Sequence, residues 1–153
     1  MIEVELRSFV SIEQFDNLLG FFRKYAVASP VDSQVTYYFD GPRDVRIQQN
    51  NNYSKVWLKK GQLHDEAREE IEIRVPRGDF KNLEQLFTAL GYSIGIKWFR
   101  TRNEFQWGEI TVCLDFTKGY GHIIEFEKMC PESGWEKEIQ LLQGFKQLML
   151  CAP

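Results

Sequence analysis

The sequence predicts an α+β protein built around one large antiparallel sheet. Eight strand segments and three helical segments follow the order β-α-β-β-β-β-α-β-β-β-α. This order lacks the strand–helix–strand alternation of a parallel sheet, and its runs of consecutive strands are typical of antiparallel meanders. The strands alternate apolar and charged residues, so the apolar face of the sheet can hold the helices. The 153 residues are therefore expected to form a single domain over 1–153.

The three helices are predicted from apolar residues at helical spacing. In "SIEQFDNLLGFFRKY" (11–25), Ser11 can cap the helix with Gln14 three residues later, which is the pattern of a capping box. In "GDFKNLEQLFTALGY" (78–92), Asp79 is expected at the N-cap and Gly91 after the last turn. The third helix is "WEKEIQLLQGFKQLML" (135–150).

The eight strands are predicted from alternation with a period of two residues and from flanking Gly, Pro and Asn turns. The strand segments are "IEVELR" (2–7), "QVTYYFDGP" (34–42), "RDVRIQQ" (43–49), "SKVWLKKG" (54–61), "REEIEIRVP" (68–76), "KWFRTRNEFQW" (97–107), "GEITVCLDF" (108–116) and "HIIEFEK" (122–128).

The charged face of this sheet has two interpretations. Glu3, Glu5 and Arg7 share one face of the first strand, and the other strands repeat this pattern of Glu and Arg. Antiparallel sheets often keep one solvated face, so the ionic side chains can belong to an open sheet. Alternatively, eight antiparallel strands can close into a barrel wide enough for a small ligand, which turns the ionic face inward. The dominance of Glu and Arg over Lys, Ser, Thr and Gln favours the barrel.

A barrel interior lined by both charges is suited to a polyanion bound together with metal ions. Arginine guanidinium groups bind phosphate oxygens bidentately. Carboxylates repel phosphate, but they are oxygen ligands of Mg²⁺ or Mn²⁺, which in turn bridge to phosphate. A hard cation held by carboxylates and by substrate phosphate is the usual arrangement in phosphoryl transfer.

Composition excludes several classes of protein. The formal net charge of -3, from 19 basic and 22 acidic residues, argues against nonspecific nucleic-acid binding. We find no apolar run for a membrane span and no signal-peptide layout in the first residues. Cys113, Cys130 and Cys151 lack CxxC spacing, so they are expected to be free thiols of a cytoplasmic protein. The expected partner is a small molecule, and the expected state of the chain is a monomer or homodimer.

The strand motifs resemble those of the CYTH family, also called triphosphate tunnel metalloenzymes. "EVELR" (3–7) is similar to the ExExK signature of that family. "YYFD", "VRI", "WLKKG", "REEIEIRV" and "RTRNEF" follow in the order of the family's strands. "CLDFTKGYGHIIEFE" (113–127) resembles an Asp strand, a Gly turn and a closing ExE strand, and it is the most specific part. The resemblance covers residues 2 to about 128.

The resemblance implies an eight-stranded antiparallel barrel, open as a tunnel with a charged interior and flanked by helices. Such a tunnel holds a triphosphate together with Mg²⁺ or Mn²⁺. The implied activity is hydrolysis of inorganic tripolyphosphate, thiamine triphosphate or a nucleoside triphosphate. One alternative is a class IV adenylate cyclase, which converts ATP to cyclic AMP and pyrophosphate. Another is a catalytically impaired module that binds a triphosphate or nucleotide without turnover.

The resemblance also implies a role for each charged position. Arg7 and Glu5 occupy catalytic positions, and Glu70 and Glu72 resemble supporting acids. Strand parity allows only one lysine of the adjacent pair at 59 and 60 to face inward. The implied metal ligands are Glu3, Glu5, Asp115, Glu125 and Glu127. The implied triphosphate-binding residues are Arg46, Lys59 or Lys60, Arg68, Arg100 and Arg102.

Three departures from the family pattern bear on catalysis. Arg7 replaces the lysine of the first motif, and an arginine keeps the charge but does not deprotonate. Gln48 stands where many members have a second arginine. The segment after Glu127 lacks the tyrosine-containing tail motif that commonly closes the family.

The remaining chemically reactive or aromatic residues are expected to be structural. His64 and His122 are predicted to be solvated or turn residues, and Cys113 is predicted to fill space on the tunnel face. The tryptophans are expected to pack, with nucleobase stacking restricted to a position near a tunnel mouth. These tryptophans are Trp57, Trp98, Trp107 and Trp135.

Overall fold

The computed structural model describes residues 1–61 and 66–151, and within these residues the chain forms ten strands and three helices. His64 lies outside the described residues. The helices are α1 (Ile12–Tyr25), α2 (Phe80–Ala89) and α3 (Trp135–Cys151), and a 3₁₀ turn (Arg77–Asp79) precedes α2. The strands are β1 (Ile2–Val10), β2 (Val27–Ala28), β3 (Asp32–Phe39), β4 (Asp44–Gln49), β5 (Tyr53–Lys59), β6 (Ala67–Arg68), β7 (Glu70–Pro76), β8 (Ile94–Trp107), β9 (Ile110–Thr117) and β10 (Gly121–Cys130).

All strand pairs are antiparallel, and the sheet closes almost completely into a barrel. Its order is β6-β1-β10-β9-β8-β3-β4-β5-β7, with the short β2 on β8. The two ends of this order belong to one stretch of chain, because only Glu69 separates β6 from β7. β6 pairs with β1 through Arg68 opposite Glu3, while β7 pairs with β5 through Glu70 opposite Lys59. The predicted antiparallel barrel is confirmed.

The apolar strand faces point outward and are covered by the helices. α1 and α3 pack over β1, β8, β9 and β10, where Phe22, Phe126 and Leu142 are fully buried. α2 packs over β4 and β5, in a second core that contains Ile47 and Phe80. Apolar burial of this kind is the main stabilising contribution to a fold, and here it leaves the ionic strand faces to line the interior.

The helix ends follow the sequence pattern closely. Ser11 Oγ accepts from Gln14 N at 3.1 Å, and Gln14 Oε1 accepts from Ser11 N at 2.9 Å, which is the predicted capping box. Gly91 follows α2 with φ of +97°, as expected for a residue that ends a helix in the left-handed region. Asp79 is the N-cap of α2, but its side chain makes no capping hydrogen bond.

Two sequence expectations need correction. "REEIEIRVP" is not one strand, because it breaks at Glu69 where the chain passes from pairing with β1 to pairing with β5. His122 is not a solvated turn residue, because it belongs to β10 and its ring lies 4.6 Å from Phe15 and 5.0 Å from Phe116. Apart from these points, each predicted strand is present, together with the two-residue strands β2 and β6.

Among the described residues, no helix combines the length and apolar character needed to cross a membrane.

Candidate active site: a charged tunnel

The barrel interior contains a cavity of about 190 Å³, here called the chamber, which is lined almost entirely by polar side chains. Each strand that lines the chamber does so with every second residue only, as the alternation in the sequence predicts. Six of the lining side chains are basic and seven are acidic. The lining residues are Glu3, Glu5, Arg7, Asp32, Gln34, Thr36, Tyr38, Arg46, Gln48, Asn50, Tyr53, Lys55, Trp57, Lys59, Glu70, Arg100, Arg102, Glu104, Glu125 and Glu127.

A second cavity of about 420 Å³, here called the mouth, adjoins the chamber. Six side chains line both cavities, so the two spaces form one tunnel. The mouth differs from the chamber because aliphatic and aromatic groups join its charged ones. Its residues are Glu3, Glu5, Leu6, Arg7, Tyr38, Arg46, Lys59, Glu66, Arg68, Ile96, Trp98, Tyr120 and Lys146.

Strand register brings the first and last acidic motifs together. In the β1–β10 pair, Glu5 lies opposite Glu127 and Arg7 lies opposite Glu125. Directly opposed side chains in an antiparallel pair have Cβ atoms about 5 Å apart, and like charges there destabilise the sheet. Arg7 offsets part of this repulsion by donating from Nη2 to Glu5 Oε1 at 2.6 Å, and the same nitrogen lies 3.6 Å from Glu125 Oε1.

Arg102 holds two buried carboxylates in fixed positions. Its Nε and Nη2 donate to Asp115 Oδ1 and Oδ2 at 3.0 and 2.8 Å, and Nη2 also donates to Glu125 Oε2 at 2.9 Å. The side chains of Asp115 and Glu125 are only 1% and 4% exposed, so water cannot supply the hydrogen bonds that Arg102 donates to them. Although burial raises the pKa of Glu125, Arg102, Arg100 and Arg7 outweigh it and keep this carboxyl ionised.

Lys59 bridges the two ends of the sheet where the barrel closes. Its Nζ lies 3.0 Å from Glu3 Oε1, 3.4 Å from Glu5 Oε2 and 3.1 Å from Glu70 Oε1. Burial disfavours the ammonium form, but Glu5, Glu3 and Glu70 together raise the pKa of Lys59 above its usual value. Lys60 is exposed and pairs with Glu69 at 3.0 Å. Of the two lysines that the sequence left open, Lys59 is the one in the chamber.

The remaining basic residues differ in how firmly they are held. Arg46 donates to both oxygens of Asp44 at 2.7 and 2.8 Å and lies 4.4 Å from the Tyr38 ring centroid. Arg68 lines the mouth, pairs with Asp44 at 2.7 Å and donates to two backbone carbonyls, at Lys59 and Lys60. These contacts occupy the Arg68 guanidinium, so it supports the closing strand.

Arg100 is the base with the weakest protein contacts. Its Nη1 lies 3.7 Å from Asp115 Oδ2, and its buried Nε has no hydrogen-bond partner among the described residues. A buried, unpaired donor is costly unless a ligand or water satisfies it. Because Arg100 lines the chamber, its guanidinium is near the space where an anion would lie.

The acidic residues fit a divalent cation. Ligand atoms of Cys113, Glu125 and Glu127 all lie within 4.8 Å of one another, and Glu5 lies opposite Glu127 in the sheet. Burial and the neighbouring Glu125 and Glu3 raise the pKa of Glu127 well above its usual value. Burial, with Glu70 and Glu5, raises the pKa of Glu3 from 4.5 to about 7 despite Lys59. Positive charge added between these carboxylates would relieve their repulsion.

These shifts predict that the metal-free protein loses stability as pH rises from 5 to 8. Up to about pH 7 folded Glu3 still binds a proton that the unfolded chain has released, and the raised pKa of Glu127 acts in the same direction, so the free energy of unfolding falls with pH. The shift of Glu3 alone corresponds to a fall of about 3 kcal/mol at most. Urea unfolding with a chelator present, at several pH values, measures this slope.

The variant Glu3→Gln should flatten that slope, whereas Glu132→Gln, at an exposed position before α3, should leave it unchanged. A slope of opposite sign in the unmodified protein would contradict the crowding of carboxylates described here. Added Mg²⁺ or Mn²⁺ should stabilise the protein more at pH 8 than at pH 5, because protons compete with the metal for the same oxygens.

The structure brings together most of the predicted site residues. Glu3, Glu5, Arg7, Glu125 and Glu127 line the chamber. Asp115 lies behind Arg102, and Glu72, which lines neither cavity, pairs with Lys55 and Arg74. The other predicted residues that line the chamber are Arg46, Lys59, Glu70, Arg100 and Arg102.

The sequence pattern was not used to identify several residues that line the tunnel or pair with its arginines. Lys55 and Asp44 share strand parity with Lys59 and Arg46, so alternation alone could have identified both. Glu104 lies opposite Cys113 and could have been found in the same way from Arg102. Tyr120 follows a Gly turn, and no local pattern indicates that its ring reaches the mouth.

The CYTH domain family model matches residues 1–150, which is nearly the whole chain. The chain belongs to the CYTH family. The motifs that match the CYTH pattern lie on the strands that place acidic and basic side chains inside the barrel. No curated protein matches the sequence.

Solved structures share the CYTH fold of this chain. A conserved hypothetical protein of Pyrococcus furiosus has a TM-score of 0.82 at 21% identity, covering 99% of this chain and 91% of that one. A candidate adenylate cyclase of Vibrio parahaemolyticus has a TM-score of 0.77 at 18% identity, with coverages of 97% and 88%. HpAC1 of Hippeastrum, a candidate adenylyl cyclase described as having a dominant triphosphatase activity, has a TM-score of 0.67 at 19% identity, with coverages of 97% and 87%. At these identities the likeness shows the fold alone.

Proposed function

We propose that this protein hydrolyses a triphosphate-bearing substrate with Mg²⁺ or Mn²⁺ in the tunnel. The observation that carries the proposal is the balance of charge in the chamber, where six basic side chains face seven acidic ones. With every carboxyl ionised, such a chamber does not attract a polyanion by itself. One divalent cation on the carboxylates makes it net positive, so metal and triphosphate are expected to bind together.

The carboxylates divide into two proposed roles. Glu3, Glu5 and Glu127 would hold the metal with Glu125, because their oxygens face the chamber and their charge exceeds that of the nearby bases. Asp115 would act from behind, by fixing Arg102 through two hydrogen bonds. A bound Mg²⁺ or Mn²⁺ would polarise phosphoryl oxygens and activate a water molecule.

The basic residues would bind the phosphate oxygens. Arg100 is proposed to make the most direct contact, since its Nε is unpaired and its ion pair with Asp115 is long. Arg46, Lys59 and Arg102 keep their protein partners and would present further N–H groups to the substrate. These fixed charges stabilise the negative charge that develops on the transferred phosphoryl group.

Hydrolysis is proposed ahead of cyclisation because the Hippeastrum protein of the same fold is described as mainly a triphosphatase. The test is to incubate the purified protein with Mg²⁺ or Mn²⁺ and, separately, tripolyphosphate, thiamine triphosphate and ATP. Release of phosphate would support a triphosphatase. Pyrophosphate with cyclic AMP would identify a cyclase instead, and metal-dependent binding without product would identify a binding module.

Arg7→Lys is expected to increase turnover by about tenfold, which is less than the roughly hundredfold at the low end of what proton transfer by a positioned side chain contributes. The Arg7 guanidinium binds Glu5 through both Nε and Nη2, at 3.2 and 2.6 Å, and neighbouring Glu125 and Glu5 raise its pKa further above the usual value. A lysine keeps the charge, releases one of these contacts and, unlike arginine, would be able to give up a proton once a bound metal offsets Glu5 and Glu125. Steady-state phosphate release at saturating metal measures the change, and a rate that falls would show that arginine is the better residue here.

A further inference from the structure

The mouth of the tunnel carries a row of aromatic rings, two of which also contact guanidinium groups of the chamber: Arg46 lies 4.4 Å from the Tyr38 centroid and Arg100 lies 5.2 Å from that of Trp98. Tyr38 lies where chamber and mouth meet, since it lines both. Its ring centroid is 5.1 Å from that of Trp98, which in turn is 5.0 Å from that of Tyr120. Tyr120 is 50% exposed at the outer end. The row therefore leads from the phosphate chamber toward solvent.

Trp98 also offers a hydrogen-bond donor that no described residue accepts. Its Nε1 is buried, with no partner among the described residues. Buried indole N–H groups usually find an acceptor, so one left unpaired beside a cavity indicates a place for a ligand atom. Ile96 adds an aliphatic contact on the same inward face of β8, two residues before Trp98.

From these contacts we infer that the mouth binds the base of a nucleoside triphosphate, stacked on Trp98 and Tyr120 with an acceptor atom toward Trp98 Nε1. The inference rests on the proposed function, because the phosphates would occupy the chamber. Base–aromatic stacking is a strong contribution that needs no particular base. A cavity of about 420 Å³ lies in the size range of small-molecule sites.

The other triphosphates fit the mouth less well. Inorganic tripolyphosphate has no group that gains from aromatic rings. Thiamine triphosphate carries a permanent positive charge on its organic part, and the lining of the mouth has five basic side chains against three acidic ones. A neutral base avoids this repulsion and supplies ring nitrogens as acceptors.

Calorimetry with ATP, tripolyphosphate and thiamine triphosphate, with Mg²⁺ and at low temperature to slow turnover, tests the inference. We expect ATP to bind at least about tenfold more tightly than tripolyphosphate. Tyr120→Ala and Trp98→Leu should each bring the ratio of these two affinities close to one, and Trp98→Phe should restore part of it. Tyr25→Ala, an exposed aromatic on α1 outside both cavities, should keep the ratio of the unmodified protein. In proton NMR spectra, the indole N–H resonance that is absent from Trp98→Phe identifies Trp98. In the unmodified protein, this resonance should shift when ATP binds and stay in place when tripolyphosphate binds.

Each other result has a defined meaning. Equal affinity for ATP and tripolyphosphate would overturn the nucleoside site and leave the proposed function standing. Tighter binding of thiamine triphosphate than of ATP would also overturn the assignment of a nucleoside. Failure of all three ligands to bind would overturn the proposed function, and with it this inference.

Discussion

Glu127→Gln is expected to lower metal-dependent turnover by at least about a hundredfold while making the metal-free protein more stable. Glu127 lies opposite Glu5 and beside Glu125, and no described basic side chain forms an ion pair with it. The carboxyl group of Glu127 therefore destabilises the metal-free protein, and a bound cation would reduce this destabilisation. Replacing this carboxyl should raise the free energy of unfolding by roughly 1 kcal/mol without metal, because the folded chain then neither bears the repulsion from its neighbours nor has to bind a proton to avoid it.

The matched control for this change is Glu109→Gln. Glu109 is 85% exposed, pairs with Lys128 outside the chamber, and lies next to β9. It should alter neither turnover nor stability by a measurable amount, since exposed ion pairs contribute little. Phosphate release and urea unfolding with and without Mn²⁺ give both quantities. Full activity of Glu127→Gln would remove this residue from the site, and a loss of stability would show that its charge supports the fold.

Arg102→Ala should destabilise the protein by about 3 to 5 kcal/mol and abolish substrate binding. The change leaves Asp115 and Glu125 buried without the guanidinium that accounts for three short hydrogen bonds. Uncompensated buried carboxylates cost far more than an exposed ion pair gains, so the loss of stability should dominate what is measured. Urea unfolding gives its size, and calorimetry with tripolyphosphate gives the loss of binding in the fraction that remains folded.

Arg74→Ala is the control for this prediction. Arg74 also makes an ion pair, with Glu72 at 3.0 Å, but it is 61% exposed, so its loss should cost less than about 1 kcal/mol. The double variant Arg102→Ala with Asp115→Asn should recover part of the stability, because one buried charge is then absent. Similar unfolding free energies for the two single variants would contradict the structural role given to Arg102.

The parity of charged residues allowed most of the tunnel to be predicted from the sequence. In an antiparallel strand every second residue faces the same side, so identifying Glu3 as internal also identifies Glu5 and Arg7. The same reasoning places Arg100 and Arg102 together on β8. Closure of the barrel was a weaker prediction, because it depends on which edge strands of the sheet meet. The alternation of residues along a single strand carries no information about that.

Residues near the closure of the barrel were the hardest to predict. "REEIEIRV" alternates without interruption, so nothing in it marks Glu69 as the point where pairing changes partner. Arg68 consequently belongs to a different strand from Glu70, and its guanidinium binds Asp44 and two carbonyls. The mouth could not be predicted either, since Tyr38, Trp98 and Tyr120 meet only through the tertiary fold.

The dependence of tripolyphosphate binding on a divalent cation tests the central claim most directly. With every carboxyl ionised the chamber has one more negative than positive side chain. At a pH high enough to ionise Glu3 and Glu127, we therefore expect no calorimetric binding of tripolyphosphate with a chelator present and clear binding once Mg²⁺ or Mn²⁺ is added. Glu3→Gln with Glu127→Gln should weaken this requirement for metal. Equally tight binding with and without the cation would contradict a chamber in which carboxylates hold a metal and the metal holds the phosphates.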